Sequence, residues 1–199
     1  NLMIKLAELK SYIGETSSTY DTKLTYIVNG VNRFVERWCN NKLIFGQVIE
    51  YVSQEELEED DFQIFLENRV NLSGVKLYRN TGTYSNPVFV EVTDINVRPS
   101  EGIIEVNAYS GKYDLSNAYK IEYNAGYHIE ASGEGENAIA IDVPDDLRLA
   151  CLKFAGAVVN KSKAEGESSE SLEGASVNFE LQFNDDIKKM LSAFKSINI

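Results

Sequence analysis

A chain of 199 residues, 43% hydrophobic and 25% charged, is long enough for one compact domain and too apolar for global disorder. Its 31 acidic and 19 basic residues leave a formal charge of −12, which excludes strong attraction to nucleic-acid phosphates or anionic lipid, since both depend on lysine and arginine. No apolar run approaches the ~20 residues that cross a bilayer, no signal-peptide pattern opens the chain, and Cys39 and Cys151 are expected as buried thiols in a reducing compartment.

Leu2, Leu6, Leu9 and Ile13 recur at helical spacing, and Gly14 supplies a left-handed residue to end that helix. Ser18 to Asp21 resembles a capping box that opens a second helix. There Leu24, Ile27 or Val28, Val31, Phe34 or Val35, and Trp38 form the apolar face, and the helix should end near Asn40 and Asn41. The period then changes from helix to strand. Residues 43–52, 62–72, 75–78, 88–97, 103–109 and 119–127 read as about six antiparallel strands with one face buried, and Pro99 to Gly102 reads as a hairpin.

A polar, glycine-rich stretch covers residues 130–138. Pro144, Asp145 and Asp146 start a third helix, with acids at its positive end. From Leu147 to Val159 that helix is apolar nearly all round. It therefore needs cover on several sides, from its own bundle or from a neighbouring subunit. Residues 161–174 are polar and small, as in a mobile loop. Val177, Phe179, Leu181 and Phe183 alternate as a short strand would, and Asn184 or Asp185 caps a last helix striped by Ile187, Met190 or Leu191, Phe194 and Ile197. The expected fold is α+β: mainly a helical bundle of about four helices, with a large antiparallel β-region inserted between helices 2 and 3. It forms a single domain over 1–199, with N-terminal helices in 1–41, the β-region in 43–127 and C-terminal helices in 144–199.

No catalytic, cofactor-binding or metal-binding residue is assigned. The one histidine, His128, reads as a surface or hydrogen-bonded residue rather than a triad or metal member. The acids from Glu55 to Asp61 read as a solvated run without calcium-loop spacing, and Gly133-Glu134-Gly135 lacks the lysine of a phosphate loop. Sequons at Asn71 and Asn160 are short matches with no other sign of secretion. Tyr78, Tyr84, Phe89, Tyr109 and Tyr113 suit cross-strand packing better than sugar stacking. A carbohydrate-binding β-module or another non-enzymatic interaction protein is one reading of these residues, and a hydrolase using carboxylates such as Glu58 and Asp61 is a further rival.

Three short patterns carry a resemblance. They are Leu6-Ala-Glu-Leu9-Lys10-Ser-Tyr12-Ile13, then Ile121-Glu-Tyr123-Asn-Ala125-Gly126-Tyr127, then Val143-Pro144-Asp145-Asp146-Leu147-Arg-Leu-Ala150. In this order, with a polar Ser/Gly stretch and a terminal helix after them, they resemble the gp6-like and gp15-like head–tail connector (adaptor) family of tailed bacteriophages. The β-region and the stretch between Tyr127 and Val143 are longer than in a compact member. The resemblance implies a non-enzymatic structural protein without cofactors. It would form a homo-oligomeric ring, expected to be dodecameric, in the virion neck after assembly in the host cytoplasm. Its implied partners are the portal protein above and a downstream stopper or tail protein below. DNA would pass through the channel without sequence-specific binding, and no membrane is involved. Portal-contact candidates are Ile187, Leu191, Phe194, Ile197 and Ile199; subunit-interface candidates are Leu149, Leu152, Phe154 and Val158.

Overall fold

The computed structural model describes residues 2–53, 55–56, 62–106, 118–127, 131–132, 139–140, 142–164 and 179–196. The chain is α+β with antiparallel strand pairing, and it divides into two compact units. One unit takes Asn1–Ile44 with Tyr127–Ile197; the other takes Phe45–Gly126.

The first unit holds α1 (Leu6–Ile13), α2 (Asp21–Cys39), α3 (Asp145–Ala164), α4 (Phe179–Gln182) and α5 (Asp185–Leu191), which runs into a 3-10 turn at Ser192–Phe194. Helix α1 is shorter than its apolar spacing predicts, and Asn32 explains why. Its Oδ1 accepts from the backbone N–H groups of Met3 (2.6 Å) and Ile4 (3.1 Å), while its Nδ2 donates to the carbonyls of Ile4 (3.1 Å) and Val28 (2.7 Å). The segment before Leu6 therefore finds its hydrogen bonds on α2 instead of in a helical turn. Gly14 ends α1 as expected, at φ 70°. The capping box at Ser18 to Asp21 does not form: Tyr20 is the cap and makes no side-chain capping bond. The Asp21 carboxylate is instead held by Lys10 at 2.6 Å, which ties α1 to the start of α2.

Leu24, Ile27, Val28, Val31, Val35 and Cys39 of α2 are buried against α1 and α3. Asn40 closes the helix in the left-handed conformation, at φ 47°. The expected strand over 177–183 is corrected: among the described residues, Phe179–Gln182 is one helical turn. Phe179 and Phe183 are four residues apart, which places both on one helical side. Their rings, with Phe34, pack around Phe154 at centroid distances of 5.1–6.0 Å. The alternation thus reports an aromatic cluster. Helix α3 also runs on to Ala164, so the first four residues of the expected loop at 161–174 are helical and the rest lie outside the described residues. Asn184 caps α5 as expected, its Oδ1 accepting from the Ile187 N–H at 3.0 Å.

The second unit contains β1 (Gly46–Val52), β2 (Gln63–Phe65), β3 (Ser73–Asn80), β4 (Phe89–Val92), β5 (Ile95–Arg98), β6 (Ile103–Val106) and β7 (Tyr119–Ala125). They form a four-stranded sheet ordered β1-β7-β3-β4 and a three-stranded sheet ordered β2-β6-β5. The run expected as one strand over 88–97 is two strands, because the chain leaves one sheet after Val92 and enters the other at Ile95. The run over 62–72 keeps only Gln63–Phe65 as strand, and β1 starts at Gly46 because the Leu43 and Ile44 N–H groups both donate to Glu36 Oε1 at 3.0 Å. Alternate residues of β7, Tyr119, Ile121, Tyr123 and Ala125, point into a shared core with Ile64, Leu66, Leu77, Ile104 and Val106. Two further short strands, β8 (Ala131–Ser132) and β9 (Ile139–Ala140), pair in the first unit.

Candidate interaction surfaces

The sequence patterns behind the resemblance are joints of the fold. In Ile121–Tyr127, alternate side chains enter the β-core until Ala125. Gly126 then adopts φ 103°, a conformation that any Cβ would strain, and its N–H donates to the Val70 carbonyl. Tyr127 donates its N–H to the Leu43 carbonyl and packs its ring against Phe194. In Val143–Ala150, Val143, Leu147 and Ala150 are buried, and Arg148 pairs with Glu8 of α1 at 3.5 Å. Leu9 of α1 is fully buried.

Helix α3 finds most of its cover within its own unit. Phe154 and Val158 are buried beneath α1, α2, α4 and α5, Leu152 is half-buried, and Leu149 is 41% exposed. Of the four subunit-interface candidates, Leu149 is the most exposed. The apolar surplus expected of this helix is small, because Phe34, Phe179 and Phe183 occupy the side that composition alone leaves bare. Tyr12, itself 45% exposed, lies over Gly156 beside it.

The portal-contact candidates fall on both sides of the surface. Ile187 and Leu191 are buried in the helical unit, whereas Phe194 is half-buried and edge-on to Tyr127. The segment after α5 is stitched to the end of α2: Asn41 Nδ2 donates to the Phe194 carbonyl (3.2 Å), Ser196 N–H donates to the Cys39 carbonyl (2.8 Å), and the Lys195 ammonium sits 4.1 Å from the Trp38 ring centre. Ile197 and Ile199 lie outside the described residues, as do His128, Glu58, Asp61, Gly133 to Gly135, Tyr109 and Tyr113.

Glu56 is half of a reciprocal pair, its carboxylate accepting from Ser53 N–H (2.7 Å) and its N–H donating to Ser53 Oγ (3.1 Å), which holds its pKa below the usual range. Tyr78 and Phe89 stand on the outer face of the larger sheet, but the Lys120 ammonium lies 4.4 and 4.9 Å from their ring centres. Those faces are therefore already occupied by a cation. Tyr84 is exposed in the β3–β4 connection. Among the described residues, no group of three or more metal-ligating side chains gathers.

Composition did not reveal the Glu50 network. Tyr123 donates its hydroxyl to Glu50, and Glu67 N–H and Asn68 Nδ2 reach the same carboxylate at 3.4 Å. Burial pushes both the Glu50 and Tyr123 pKa values up. Its only trace in the sequence is an acid on the inward side of an otherwise alternating strand. Glu50, Glu56 and Glu67 line an open groove of about 480 Å³ along the edge of β1, with Ile49, Tyr51 and Phe65.

Two solved chains share the fold. One belongs to the neck of an empty gene transfer agent (GTA) particle computed with C6 symmetry, the other to the virion of a native GTA particle. Each aligns over 98% of this chain and 90% of its own length, with a TM-score of 0.56 and 14% identity. No curated protein matches in sequence. The family described as "Head completion protein" matches residues 2–197. This agrees with the resemblance to phage head–tail connectors, and the chain belongs to the head completion protein family.

Proposed function

We propose that the protein is a structural component of the neck of a tailed phage or phage-like particle. Copies form a ring below the portal, extend the DNA channel and offer a platform to the next neck or tail protein, without catalysis. The observation that carries this reading is the family match over residues 2–197. The fold shared with a GTA neck chain supports it, and the C6 symmetry stated for that particle is compatible with six or twelve copies per ring. With a formal charge of −12 per chain, acids facing the bore would let DNA pass without sticking.

In this ring Leu149 and Leu152 supply contact between copies, while Phe154 and Val158 hold α3 rigid beneath them. The portal contact centres on Phe194 and the residues after it, with Ile187 and Leu191 anchoring that segment from inside. The ring assembles in the host cytoplasm and ends in the virion neck.

Mass measurement of the purified protein, alone and mixed with a portal, tests the reading. A complex of defined high stoichiometry is expected with the portal. Unchanged monomers in both samples would overturn it.

A further inference from the structure

An acidic chain that binds itself must keep its like charges apart, and two oppositely charged apolar surfaces stand out. The first lies on α2. Tyr26, Arg33 and Arg37 occupy positions i, i+7 and i+11, one line along the helix. Tyr26 is 67% exposed, and both arginines are exposed. Neither arginine has an acidic partner among the described residues, and Arg37 lies over the Phe34 ring, 5.5 Å from its centre. Gly30 sits between them in the line, and a Cβ there would collide with the Phe179 ring. That close approach seats α4 against α2 and leaves Leu181, 72% exposed, beside the strip. The second surface is the β1-edge groove. Strand β1 ends its sheet, pairing with β7 alone among the described residues. Ile49 (50%), Tyr51 (54%) and Phe65 (37%) are exposed there, among Glu50, Glu56 and Glu67.

We infer that the surface formed by the α2 strip and the adjoining α4 of one copy docks against the β1 edge of the next. Tyr26 and Leu181 would meet Ile49, Tyr51 and Phe65, and Arg33 and Arg37 would meet Glu56 and Glu67. The occupant is a second copy of this chain because the arginines of one surface, which have no acidic partner among the described residues, match the carboxylates of the other, and both are flanked by exposed apolar side chains. The two surfaces differ, so the contact is head-to-tail, the kind that builds rings. It adds to the contact at Leu149. This rests on the neck reading, and the two can fail separately.

The test is disulfide trapping between two single variants, Arg33→Cys and Glu67→Cys, both at exposed positions; the native Cys39 and Cys151 are buried. Mixed under oxidising conditions, the two should give the mixed dimer in roughly tenfold excess over either homodimer, falling as salt rises. Adding Arg37→Glu to the first variant should abolish that excess, and adding Glu56→Arg to the second should restore it. Statistical yields of the three dimers, or no mixed product, would overturn the proposed contact. If the unmodified protein still forms a ring of high mass with the portal, the neck reading stands and the interface lies elsewhere. A mixed disulfide without any portal complex supports the contact and removes the neck reading.

Discussion

Glu50 is the residue at which packing and charge conflict. Its carboxylate is drawn inward by Tyr123 and Asn68, yet burial raises its pKa above the ordinary 4.5. A raised value means that the folded state holds this proton more tightly than the unfolded chain. The stability it contributes is complete below about pH 4.5 and is lost as pH climbs through the folded-state pKa. Glu50→Gln, a permanent mimic of the protonated acid, should therefore gain on the wild type as pH rises through that window. Urea unfolding of both proteins from acid to neutral pH checks this; a constant difference would refute it. Asn32 presents no such conflict, because its buried amide is fully engaged with backbone from Met3, Ile4 and Val28.

Helix α4 shows how one sequence pattern serves two periods. If Phe179, Leu181 and Phe183 were a strand, all three would share a face. In the helical turn only Phe179 and Phe183 pack, and Leu181 points outward. Phe183, centred 4.9–5.1 Å from the rings of Phe34, Trp38 and Phe154, should cost about 3–5 kcal/mol when replaced by alanine. Leu181→Ala should stay within about 0.5 kcal/mol of the wild type. Chemical denaturation of the two variants distinguishes the readings, since a strand would make both costly. The split of residues 88–97 is partly written in the chain: Val88, Val90 and Val92 alternate in one phase and Ile95 and Val97 in the other, and the slip falls at Thr93 and Asp94, where the partner changes from β3 to β6.

For the whole molecule, the question is which apolar surface folding leaves for assembly. Most of α3 is spent inside the helical unit, and Leu149 is what remains. Leu149→Glu should leave the unfolding midpoint nearly unchanged and lower the fraction of protein in the high-mass complex with the portal. Sedimentation of that mixture, beside a thermal melt, reads both. A variant that assembles as the wild type does would remove Leu149 from the interface.

By itself the sequence determined the α+β composition, the apolar faces of α2 and α5, the start of α3 at Pro144 to Asp146, the end of α1 at Gly14, and the motifs that carry the family. These are encoded by neighbours within a few positions, where spacing and capping chemistry act directly. Tertiary structure alone decided that Asn32 would unwind the start of α1, that Phe179 and Phe183 would coil around Phe154, and that Glu50 would be buried against Tyr123. Each of these depends on a partner distant in the chain. Local periodicity records that a side chain is apolar or charged, but not which remote group will meet it.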